Sequence, residues 1–137
     1  MKKIIYISAL ILVVNSLYAK TIRIGKQQSI KTIQQGLILA VDGDTVLVDA
    51  GQYHERNISI EKSISFIGIN HPLLDGDNKY EIISIKANGV LVDGFTIINS
   101  GISSIEDFAG IKIYNKRDVI IRNEYHYRFA ALLCHWQ

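Results

Sequence analysis

Ile58-Ser59-Ile60…Ile64-Ser65-Phe66-Ile67-Gly68, Ile83-Ser84-Ile85…Val90-Leu91-Val92-Asp93-Gly94 and Ile111-Lys112-Ile113…Val119-Ile120-Ile121-Arg122-Asn123 follow one pattern three times over. Each holds a short alternating strand, a turn and a second short strand, with Gly or Asn two residues after the last inward apolar position. Phe66 to Val92 spans 26 residues and Val92 to Ile121 spans 29. Repeats of that length built only from short strands predict an all-β stacked solenoid, not a sandwich or a doubly wound sheet. Within each strand the apolar residues fall at i and i+2, which sends one aliphatic set inward at every coil. Gly68, Gly94 and Asn123 are residue types that tolerate the left-handed backbone of a sharp corner.

Upstream of the repeat, Thr21 to Ile24 alternates and reads as a first strand. Ser29 is placed to cap a short helix in which Ile30, Ile33, Leu37 and the pair Ala40-Val41 share a face. Gly36 weakens that helix. The turn Asp42-Gly43-Asp44 leads to a strand over 45–49, then to Ala50-Gly51 and Tyr53. A helix laid over the first coil hides the open cross-section and unpaired edge that a strand stack exposes there. Loops are expected at His71 to Tyr80, which holds the only proline, and at Ser100 to Ala109. Insertions in a solenoid tend to gather on one face, and that face is often the working one.

The two ends differ from the middle. Lys2-Lys3, the apolar run from Ile4 to Val14 and the closing Tyr18-Ala19 make residues 1–19 a signal peptide, and an uncleaved anchor is the alternative. Export is the reading that follows. The chain carries 15 Lys+Arg and 13 Asp+Glu, and two of the lysines lie in the leader, so residues 20–137 are balanced. That balance offers no electrostatic case for nucleic acid or an anionic membrane. A lone cysteine, Cys134, excludes an internal disulfide. Residues 20–123 are assigned to the coils. Past Asn123 the aliphatic alternation stops, and residues 124–137 read as an aberrant tail from a shifted reading frame, with a native C-terminal cap as the alternative. A stack truncated at that end exposes strand edges and is expected to aggregate when alone.

The opening Ile30-x-x-Ile33…Gly43-Asp44-Thr45-Val46-Leu47-Val48…Gly51-x-Tyr53-x-Glu55 resembles that of right-handed parallel β-helix proteins of the pectin-lyase type. The segments Ile67-Gly68, Pro72-x-Leu74-Asp75-Gly76-x-Asn78-Lys79-Tyr80-Glu81, Asp93-Gly94-Phe95-Thr96-Ile97, Asn99-Ser100-Gly101 and Ala109-Gly110-Ile111-Lys112-Ile113 resemble the NosD family. The likeness covers about residues 20 to 123 and fails beyond them. It implies a right-handed single-stranded parallel β-helix with a capping helix, corresponding to the N-terminal part of a longer protein. It also implies a periplasmic, non-enzymatic accessory in nitrous oxide reductase maturation. Such an accessory supports copper-sulfur centre assembly beside an ABC-type membrane complex, with transporter subunits, a copper chaperone or the reductase as partners. Copper enters through the resemblance alone.

The residues themselves support no metal, cofactor or catalytic site. Soft Cu(I) favours Met and Cys, yet the only methionine is Met1 and the only cysteine lies in the tail. His54 and His71 read as isolated surface histidines. His126, Cys134 and His135 form a trio of the right types, in a segment of doubtful origin. A β-helix that binds or cleaves polysaccharide is the rival reading. It needs clustered carboxylates with a nearby cation, and here Asp42, Asp44, Asp49, Asp93, Asp107 and Asp118 are scattered. Asp75-Gly76-Asp77 is the one tight pair, and it reads as turn chemistry. Lys112, Lys116, Arg117 and Arg122 alternate with Glu106, Asp107, Asp118 and Glu124, which describes a mixed solvated face.

Overall fold

The computed structural model describes residues 18–101, 110–127 and 132–135. Of the expected signal peptide only Tyr18 and Ala19 fall within that range. The described residues form a parallel β-solenoid of about four turns with one short helix. Strand β1 (Thr21–Ile24) and helix α1 (Ile33–Leu39) precede four coils. The coils are β2 (Thr45–Val48), β3 (Gln52–Tyr53) and β4 (Ile58–Ile60); β5 (Ser65–Gly68), β6 (Leu73–Asp75) and β7 (Ile83–Ile85); β8 (Leu91–Asp93), β9 (Thr96–Ile98) and β10 (Ile111–Tyr114); and β11 (Ile120–Arg122), β12 (Tyr125–Tyr127) and β13 (Leu132–His135). Three parallel sheets result: sheet 1 in the order β1-β2-β5-β8-β11, sheet 2 as β3-β6-β9-β12 and sheet 3 as β4-β7-β10-β13.

The register follows the repeat. Phe66 pairs with Val92 and Val92 with Ile121 in sheet 1, while Ile58, Ile83 and Ile111 stack in sheet 3, as do Ile60, Ile85 and Ile113. These ladders put like over like, and most of their rungs are fully buried. Phe95 joins from the corner after β8 and stacks on Phe66, with ring centroids 4.4 Å apart and planes at 19°. Offset stacking of that kind adds about 0.5–1.5 kcal/mol beyond burial.

Sheet 2 is the face that the two-strand pattern overlooks. Tyr53, Leu74 and Ile97 are its inward ladder. Its strands are two or three residues long, too short for alternation to show, and β6 lies inside the expected His71–Tyr80 loop.

Three further expectations are corrected. The helix starts at Ile33 with Thr32 as N-cap, whose Oγ1 accepts from Gln35 N–H at 3.3 Å. Ser29 stands too early, because Ile30 forms a bridge to Ile24 and holds the chain extended there. Val41 is 50 % exposed, past the helix end, whereas Ile33 and Ala40 are buried. Gly68 is not left-handed, although Gly94 (φ +82°) and Asn123 (φ +53°) are. A side chain at Gly68 would instead meet the carbonyl oxygen of Gly94 at 2.5 Å, so close approach between coils requires the glycine. Asn57, Asn70, Asn99 and Asn115 supply other left-handed corners.

Two strands past Asn123 also pair with the stack. Strand β12 pairs with β9, Tyr125 opposite Thr96, and β13 pairs with β10, Leu132 opposite Ile111. Parallel pairing joins main-chain groups, so Tyr-His-Tyr and Leu-Leu-Cys-His form rungs without the aliphatic pairs that defined the pattern.

The acids near the helix are structural. Asp44 is fully buried and accepts from Lys20 N–H and Val41 N–H, both at 2.9 Å, and those bonds hold its carboxyl below the ordinary value. Arg23 Nε binds Asp49 at 2.7 Å and lowers it likewise.

Candidate functional site

The coils are tied together by turns that differ in length from edge to edge. Between sheets 2 and 3 the connections lengthen over the first three coils only, from residues 54–57 to 76–82 to 99–110. Of the last, 102–109 lie outside the described residues, as does most of the expected Ser100–Ala109 loop. This edge gathers the polar side chains that the aliphatic ladders exclude.

Register explains the main cluster. Tyr53 pairs with Leu74, so His54 and Asp75, each the next residue along, fall side by side in adjacent coils. His54 Nδ1 lies 3.9 Å from Asp75 Oδ2 and 3.0 Å from Asp77 Oδ1. One ligand-type atom from each of the three residues lies within 4.8 Å of the others. Asp75 is the anchored member, with a side chain only 9 % exposed, while those of His54 and Asp77 are about half exposed. Its Oδ1 accepts from Asp77 N–H and from Asn99 Nδ2, both at 3.0 Å. Burial pulls the Asp75 carboxyl up, but those bonds, with His54 and Gln52 beside it, outweigh burial and leave it below the ordinary value. The turn reading of Asp75-Gly76-Asp77 is therefore correct in part: Asp75 does hold its own turn. Asp77 and Asn78 are left-handed (φ +52° and +57°), and the turn brings the Asp77 side chain against His54.

A second cluster lies on the outside of sheet 3. Glu81 is 6 % exposed. Its carboxylate accepts from Tyr114 OH at 3.2 and 3.3 Å, faces Lys112 Nζ at 3.6 Å and contacts Ser84 Oγ. Ser84 Oγ also lies 2.5 Å from Asn57 Oδ1, linking the group to the coil below. Desolvation lowers Lys112, but Tyr114 and Glu81 outweigh it and raise the ammonium above its ordinary value. Every polar group there faces a partner, as a buried ion pair requires.

The other sequence candidates lie elsewhere in the stack. His71 packs edge-on against Tyr125, with centroids 4.8 Å apart. His126 lies in sheet 2, whereas Cys134 and His135 lie in sheet 3. Of the four basic residues read as a mixed face, Lys112 faces Glu81 and Arg122 binds Asp93 at 2.8 Å. Sequence reading missed the His54 cluster because its partners come 21 and 23 residues later. The usable signal was the inward ladder Tyr53–Leu74, which requires recognising sheet 2.

No protein-family model matches the chain, and no curated protein or solved structure matches it. Among the described residues no helix is long and apolar enough to cross a membrane.

Proposed function

We propose that this chain is part of an exported, non-enzymatic accessory solenoid of the NosD type. It acts in the periplasm by holding protein partners during copper-sulfur centre assembly in nitrous oxide reductase. One observation carries the reading. Three of the segments that carry the resemblance, Pro72–Glu81, Asn99–Gly101 and Gly110–Ile113, flank the edge between sheets 2 and 3 in the second and third coils. That edge has the long connections of the second and third coils, and in a stacked repeat such insertions are where partners are met. The partners fitting this reading are subunits of an ABC-type transporter, a copper chaperone and the reductase itself.

The test is site-directed photo-crosslinking of the exported chain from Asn78, with Lys26 at the far edge as control. Capture of transporter or reductase subunits from Asn78 alone supports the proposal. Crosslinking from neither position, together with retention on a polysaccharide panel, would replace it with the carbohydrate reading.

A further inference from the structure

The edge between sheets 2 and 3 carries a feature that partner binding does not explain. His54, Asp75 and Asp77 converge from two coils, and no other group of three such residues is close enough to share an ion among the described residues. We propose that His54 Nδ1, Asp75 Oδ2 and Asp77 Oδ1 form a binding site for a first-row divalent cation, with Zn²⁺ as the best-fitting ion.

The donor chemistry sets the class of ion. One imidazole nitrogen and two carboxylate oxygens suit borderline divalent metals, and the lack of sulfur disfavours Cu(I). The geometry is close to what such an ion needs. Bonds of about 2.1 Å in a tetrahedral shell separate neighbouring ligand atoms by about 3.4 Å. The present separations from His54 Nδ1 are 3.0 Å to Asp77 and 3.9 Å to Asp75, so each must change by about half an ångström. His54 and Asp77 have the exposure to make that move. Asp75 is nearly buried, and its other oxygen is fixed by Asn99 Nδ2 and Asp77 N–H. Outer hydrogen bonds of this sort orient a ligating carboxylate. Three protein ligands leave at least one position open to water or a fourth group.

The position gives the ion a role. His54 belongs to the turn after β3 and both aspartates to β6 and the turn after it, so a bound ion joins two successive coils. Because the assembled site exists only when those coils are stacked, binding favours the folded chain.

Calorimetric titration of the purified full chain with Zn²⁺ alone tests this. The expected result is one ion per chain, with affinity reduced at least about tenfold in His54→Ala, Asp75→Asn and Asp77→Asn and unchanged in His71→Ala. A thermal melt guards against misfolded variants. Asp77→Asn alters an exposed side chain and should keep the metal-free melting temperature while losing the rise on adding Zn²⁺. No saturable binding at millimolar Zn²⁺ would overturn the proposal, as would equal binding by all variants or loss of binding in His71→Ala.

Discussion

The carboxylate of Glu55 accepts the backbone N–H of Ile33 at 2.6 Å, and its other oxygen accepts that of Gln34 at 2.8 Å. A residue of the first coil thus adds a second cap, beside Thr32, at the start of the only described helix. At the other end Lys62 Nζ reaches the carbonyls of Leu37 and Ile38, both at 3.0 Å, and of Ala40 at 2.5 Å. Negative charge at the N-terminus and positive charge at the C-terminus both complement the helix dipole. Glu55→Ala should cost about 1–2 kcal/mol, the value of a lost charged cap, and Lys62→Met a similar amount. Urea unfolding of each variant is the measurement. If both midpoints match the parent's, the clamp contributes nothing.

Gly36 makes the same interface close. An alanine in its place would gain at most about 1 kcal/mol of helix propensity. Its Cβ would collide with Ile24 Cδ1 and come within 2.9 Å of Ile24 Cγ1, on a side chain that is fully buried. Overpacking of that kind costs about 1–3 kcal/mol. The collision outweighs the propensity, so Gly36→Ala should lower stability despite being a better helix former. A melting temperature above that of the parent would show that α1 can ride away from β1.

The aliphatic pairs were legible because they occupy two of three faces at constant register. Phe66, Val92 and Ile121 were identifiable as one stack from their spacing and are true partners. The third face was not legible. Its strands carry one inward residue each, and a single apolar residue between turns has no period. The His54 cluster was hidden for the same reason, since only the Tyr53–Leu74 pairing places His54 beside Asp75. Glu55 looked like part of a motif, but its target lies 22 residues earlier and depends on how the helix folds back.

Leu74 tests the third face directly. It is fully buried in β6, between Tyr53 and Ile97. Leu74→Ala should destabilise by about 2–5 kcal/mol, the usual cost of emptying a core site. The neighbouring Leu73 is only partly buried, and Leu73→Ala should cost far less. Equal losses in chemical denaturation would mean that sheet 2 does not line the core.

Glu124 makes stability depend on pH in a window separate from that of the aspartates. Its Oε1 accepts from Phe95 N–H at 3.1 Å, while Oε2 is buried without a hydrogen-bond partner. Burial, with Asp93 nearby, pushes the carboxyl from 4.5 up to about 7. The folded state therefore holds this proton more tightly than the unfolded chain. Its contribution is complete below pH 4.5 and is lost as pH rises through 7. The total is at most about 3.5 kcal/mol, from about 1.4 kcal/mol per unit. Asp44, Asp49, Asp75 and Asp93 are shifted the other way, so their contributions hold above about pH 4 and fail only under stronger acid. Glu124→Gln keeps an oxygen for Phe95 and removes the charge. The variant should lose the part of the stability decline between pH 4.5 and 7.5 that the parent owes to this group, and should be the more stable of the two at pH 8. Parallel pH profiles for the two proteins would place the Glu124 carboxyl in water.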